Sequence, residues 1–92
     1  MQEREIDCII RGKVQDVGYR FFVKKEAEVL DLVGYVQNEE DGTVSVVAQG
    51  KKEDLEKFIE KMKKGPYFSR VDEVNVSWSD KLQDALTEFE II

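Results

Sequence analysis

Ile6-Asp7-Cys8-Ile9-Ile10-Arg11-Gly12-Lys13-Val14-Gln15-Asp16-Val17-Gly18-Tyr19-Arg20 holds a change of hydrophobic period. Ile6, Cys8 and Ile10 alternate with Asp7 and Ile9, and Gly12 and Val14 keep the same parity. Side chains of a strand point alternately to its two faces, so this spacing predicts a strand over about residues 5–14. Ile9 makes its second face partly apolar. Gln15-Asp16-Val17-Gly18 is a short polar connection that contains a glycine. From Tyr19 onward the period becomes helical. Val23, Ala27 and Leu30 recur at i, i+4 and i+7, with Lys24, Lys25, Glu28 and Asp31 elsewhere. That pattern predicts an amphipathic helix over about residues 20–31.

The same reading extends to the rest of the chain. Val33–Gln37 predicts a second, short strand, and Asn38-Glu39-Glu40-Asp41-Gly42 a turn whose strongest signal is Asp-Gly. Thr43–Gln49 is rich in β-branched residues and predicts the hairpin partner, ended by Gly50. Leu55, Phe58, Ile59 and Met62 fall at helical spacing within Lys52–Lys63, and Gly65-Pro66 stops that helix. Val71, Val74, Val76 and Trp78 predict a fourth strand, with Trp78 in the core. Asp80–Asp84 is polar, and Thr87, Phe89 and Ile91 alternate with Glu88 and Glu90 in a last short strand. The order βαββαβ, with a further C-terminal strand, predicts an α+β ferredoxin-like sandwich, an antiparallel sheet with two helices on one face. No repeat or linker interrupts it, so residues 1–92 are expected to form a single domain.

Composition narrows the function classes. The chain has 92 residues, 41% of them apolar, and nine aromatics (one Trp, three Tyr, five Phe), which fits a folded globule. Fourteen basic against 20 acidic residues give a net charge of −6. A generic nucleic-acid binder needs a basic face, so no nucleic-acid partner is expected. An RNA-binding sandwich is disfavoured on the same ground, and no aromatic-rich strand of that type is present. There is no histidine, which excludes histidine acid–base and Ser-His-Asp catalysis. One cysteine cannot close an intrachain disulfide, and no Cys or His cluster exists to hold zinc or an iron–sulfur centre, so no cofactor of those kinds is expected. Cys8 alternates with apolar neighbours and reads as a small buried hydrophobe. No apolar stretch is long enough for a signal-peptide core or a membrane span. The expected state is a cytoplasmic monomer without a membrane partner.

The connection between the first strand and the first helix carries the chemistry. A tight loop there points backbone N–H groups outward at a helix N-terminus, which is an anion site. Arg20 lies in the first helical turn, where the helix dipole disfavours a cation. An anion bound beside it would offset that cost, since guanidinium matches phosphate in bidentate fashion. Taken alone, the loop is equally compatible with an ordinary strand-to-helix connection, and Asn38 with an ordinary turn residue. Phe21 and Phe22 open the helix and read as core or sheet-packing residues, with one of them able to wall a site.

Ile10, Gly12, Val14, Gln15, Val17, Tyr19 and Arg20 together resemble the first signature of the acylphosphatase family. Gly34-Tyr35-Val36-Gln37-Asn38, followed by Gly42, Val44 and Gly50, resembles the second. The likeness covers nearly the whole chain. It implies a metal-independent hydrolase that cleaves the carboxyl–phosphate anhydride bond of small acyl phosphates to carboxylate and inorganic phosphate. It also implies a phosphate-binding loop of Gln15, Asp16, Val17, Gly18, Tyr19 and Arg20. Within it the loop amides and Arg20 would grip the phosphoryl group, while Asn38 would orient the attacking water. Such chemistry needs no histidine, because positioning and charge stabilisation supply most of phosphoryl-transfer catalysis.

One position departs from the signature: the family has glycine after the glutamine, and this chain has Asp16. Asp tolerates left-handed backbone better than most residues. Its charge is the larger matter. A carboxylate about 5 Å from a phosphate repels it by roughly 3 kcal/mol at an effective dielectric of about 20, and by under about 1 kcal/mol in water-like surroundings. The alternative function is therefore a catalytically weakened anion-binding or regulatory module on the same fold.

Overall fold

In the computed structural model, which describes residues 3–82 and 86–92, the chain wraps around its first strand. Strand β1 (Glu3–Lys13) pairs antiparallel with β3 (Val44–Lys51) on one side and β4 (Arg70–Ser79) on the other. The alternation read from the sequence becomes rows across one face. Ile6 lies between Ala48 and Trp78, Cys8 between Val46 and Val76, and Ile10 between Val44 and Val74. Strand β2 (Val33–Asn38) continues the sheet beside β3, and β5 (Phe89–Ile91) closes it, in the order β4-β1-β3-β2-β5.

Helices α1 (Tyr19–Val29) and α2 (Lys52–Lys64) cover this apolar face. Val23 and Ala27 of α1 and Leu55, Phe58, Ile59 and Met62 of α2 are buried against Ile6, Cys8, Ile10, Val36 and Val46. Phe58 meets Phe89 edge to face with ring centroids 6.0 Å apart, which ties α2 to the last strand. The ferredoxin-like α+β sandwich is therefore observed, with boundaries within a few residues of those predicted. The polar stretch read at 80–84 runs partly outside the described residues.

Two expectations are corrected. The first four strands are antiparallel, but β5 pairs parallel to β2, so the sheet is mixed. The reason is where β4 ends. Ser79 lies level with Glu5, Gln49 and Val33, at the end of the sheet where β2 begins. From there the chain only has to cross that end before β5 starts beside Gly34. An antiparallel β5 would first have to run back along the whole sheet. Trp78, expected in the core, is 36% exposed. Its strand is the sheet edge, and the Arg4 guanidinium lies 5.2 Å from its ring centroid as a cation–π cover.

Helix α1 ends in a paired backbone motif. The Leu32 amide donates to the Ala27 carbonyl and the Asp31 amide to the Glu28 carbonyl, at 2.9 and 3.1 Å. That arrangement needs a left-handed residue just past the helix, usually glycine, and Asp31 fills the place at φ 55°. The carboxylate also sits at the negative end of the helix dipole. Asp31→Gly is expected to raise stability by about 0.5–1 kcal/mol, read as a higher urea midpoint at unchanged slope. A lower midpoint would contradict this.

Candidate active site

The two helices treat their N-termini in opposite ways. Helix α2 begins with Glu53 and Asp54 and ends with Lys61, Lys63 and Lys64, as the dipole favours. Helix α1 has no acidic residue in its first turn, no side-chain cap on its N-terminal amides, and a cation, Arg20, at its second position. Its N-cap is Gly18 at φ 77° and ψ 15°, a left-handed conformation that costs a glycine little. Two residues earlier Asp16 is also left-handed, at φ 61°. The chain thus leaves β1 through a sharp turn over residues 14–18, and the helix amides emerge without a protein acceptor from any described side chain.

These amides border a concavity of about 170 Å³ lined by Val14, Asp16, Gly18, Tyr19, Arg20, Phe21, Asn38 and Ile91. It lies at the end of the sheet where β1, β2 and β5 all finish. Arg20 Nη1 donates to the Ile92 backbone oxygen at 3.1 Å, which steers the guanidinium and leaves most of its donor fork available. Asn38, the last residue of β2, carries a buried side-chain oxygen, Oδ1, with no hydrogen-bond partner among the described residues. A buried acceptor left unpaired costs about 1–3 kcal/mol, so this oxygen is suited to accept from a donor such as water. Among the described residues no group of three carboxylates or cysteines converges as metal ligands. Cys8 is no nucleophile: burial, with the Asp7 charge adding, pushes its thiol up to about 12.

Other side chains hold the turn in place. Gln15 Nε2 donates to the Glu39 and Thr43 carbonyls at 2.8 and 2.9 Å, across the base of the β2–β3 hairpin. Within that hairpin the Thr43 hydroxyl and amide donate to the Asp41 carboxylate, at 2.6 and 3.0 Å, and hold its carboxyl below the usual range. Tyr19 is buried, and its hydroxyl donates to the Met62 carbonyl at 2.7 Å. Met62 lies in the last turn of α2, where carbonyls lack helical partners, so Tyr19 satisfies one of them. Burial, with Cys8 adding, pushes the Tyr19 phenol well above its ordinary value.

The acylphosphatase family model matches residues 6–91. The chain belongs to the acylphosphatase family. It is 48% identical over 74 residues to the acylphosphatase of Thermus thermophilus, covering 80% of this chain and 84% of the relative. It is 42% identical over 89 residues to that of Salinibacter ruber, covering 97% and 93%. The crystal structure of acylphosphatase from Bacillus subtilis superposes with a TM-score of 0.93 at 37% identity, covering 97% of this chain and 98% of that one. The chain is accordingly a hydrolase, and the family acts on small acyl phosphates.

Of the residues expected to form an acylphosphatase site, Asp16, Gly18, Tyr19, Arg20 and Asn38 come together around the concavity. Gln15 and Val17 do not turn their side chains into it. Gln15 reaches the hairpin, and Val17 packs on the core. Phe21, read mainly as core, is 67% exposed and walls the site, while Phe22 takes the packing role. Ile91 and the Ile92 backbone oxygen were missed. Only the parallel pairing of β5 to β2 brings them there, and no local pattern announces a pairing partner. Gln15→Ala is expected to cost about 1–2 kcal/mol, because the two hydrogen bonds joining loop to hairpin are lost. Urea unfolding checks it, and an unchanged midpoint would show that the tether contributes nothing.

Proposed function

We propose that this chain hydrolyses acyl phosphates by in-line attack of water on phosphorus, with Arg20 and Asn38 as the catalytic residues. The amides of the 15–20 loop and the first turn of α1, with the Arg20 guanidinium, hold the three phosphoryl oxygens. The water oxygen forms the new bond to phosphorus as the bond to the acyl oxygen breaks. The carboxylate leaves with that electron pair, and the water proton passes to phosphate or solvent. Asn38 Oδ1 accepts a hydrogen bond from the attacking water and fixes its line of approach. The observation that carries the reading is the buried, unpaired oxygen of Asn38, a residue that lines the same concavity as Arg20 and the uncapped start of α1.

No metal or other cofactor enters the reading, because the acyl phosphate is already activated and carboxylate is a good leaving group. The chain acts as a single acylphosphatase domain and a monomer in the cytoplasm, on a small molecule and without a nucleic-acid or membrane partner. A net charge of −6 and a concavity of about 170 Å³ support a small anionic substrate over a polyanion. Among the described residues no helix is long and apolar enough to cross a membrane.

Benzoyl phosphate hydrolysis in the presence of a chelator tests the assignment. Asn38→Ala is expected to lower kcat by about a hundredfold with KM changed only a few-fold, as loss of water orientation requires. Arg20→Ala is expected to raise KM by a similar factor. Turnover by Asn38→Ala equal to that of the parent chain would remove the water-orienting role. A folded parent chain with no turnover would instead favour the weakened anion-binding module.

A further inference from the structure

The groups proposed to grip the phosphoryl oxygens are donors, and Asp16 is the one acidic residue among the described residues that line the same concavity. Asp16 lines the concavity together with Arg20 and Asn38, and it is exposed. No hydrogen bond or ion pair joins it to another described residue. Residue 16, at φ 61°, belongs to the turn whose amides are proposed to hold the phosphoryl group. An ionised carboxylate is acceptor-only. It can meet a bound oxyanion favourably only through a proton that the oxyanion carries, and it repels one that carries none. Arg20 is the one cation among the described residues lining the concavity, so the two charges offset each other within it.

Oxyanions of the same shape differ in this respect. Inorganic phosphate near neutral pH keeps at least one P–OH group in either of its populated forms. Sulfate keeps none, and an acyl phosphate with both phosphoryl protons lost also has none. We propose that Asp16 makes this site select oxyanions that carry a proton, so that inorganic phosphate is held in preference to sulfate and to fully ionised acyl phosphate. A hydrogen bond from P–OH to the Asp16 carboxylate is the recognising contact. The inference rests on the phosphoryl-binding role proposed for the loop, and it names a specificity-determining residue that also strengthens inhibition by the product. The selectivity is of the kind in which one group attracts the right ligand and repels the wrong one.

The test is competitive inhibition of benzoyl phosphate hydrolysis by phosphate and by sulfate, near pH 7 and at low ionic strength. The parent chain is expected to bind phosphate about tenfold more tightly than sulfate, a factor moderated by the exposure of Asp16. Asp16→Asn keeps a residue that tolerates left-handed backbone and removes the charge. It is expected to bring the two inhibition constants within about twofold, mainly by tightening sulfate. Asp16→Gly is expected to do the same, which separates charge from shape. A parent ratio near one, or a ratio unchanged in Asp16→Asn, overturns the proposal. Calorimetric titration with each anion reads the same ratio without turnover. A chain that binds the anions selectively but does not hydrolyse acyl phosphate contradicts the proposed function and leaves this inference standing.

Discussion

A helix that starts immediately after a sharp turn must leave its first amides without intrahelical partners, and in this fold α1 does so without a side-chain cap. Much of the architecture around it serves to hold that start in place. Gln15 ties the turn to the β2–β3 hairpin, Tyr19 ties it to the last turn of α2, and Arg20 ties it to the end of β5. Three side chains within six residues thus reach three different elements. The same turn spends two left-handed conformations, at Asp16 and Gly18, to bring the chain round. An anion bound there would satisfy the amides and relieve the dipole penalty on Arg20 at one stroke. Under the proposed function, stability and ligand binding therefore meet in one segment.

Local charge, not net charge, decides what such a site can take. A chain of net charge −6 can take an anion at the proposed site because the donors proposed there are backbone amides and one guanidinium, which act at short range. The contrast with α2 shows that the arrangement is specific to α1. In α2 the acids lead and the lysines follow, and the dipole is answered within the helix itself. In α1 it is left for something else to answer.

The sequence made much of this legible. Period two over Ile6–Val14, period 3.6 from Val23 and the Asp-Gly turn are local signals, and the elements they mark were found. Arg20 was legible as a cation at the wrong end of a helix, and Asn38 only through its place in the second family signature. What escaped was set by distance in the chain. Ile91 enters the site because β4 ends level with the start of β2, which is a property of the whole sheet. Phe21 and Phe22 are adjacent, and the helix phase that sends one outward and the other inward depends on where the helix begins. Trp78 was placed by residue type, but edge position overrides hydrophobicity there, and Arg4 supplies the cover.

The central claim is that the uncapped start of α1 and the turn before it hold the phosphoryl group. Titration of the ¹⁵N-labelled chain with inorganic phosphate, followed by amide chemical shifts, tests it most directly. The account predicts saturable shifts concentrated on the amides of residues 15–21 and on the Asn38 side chain, with the N-terminus of α2 silent. Shifts centred on the lysines of α2, or spread evenly over the surface, would contradict it.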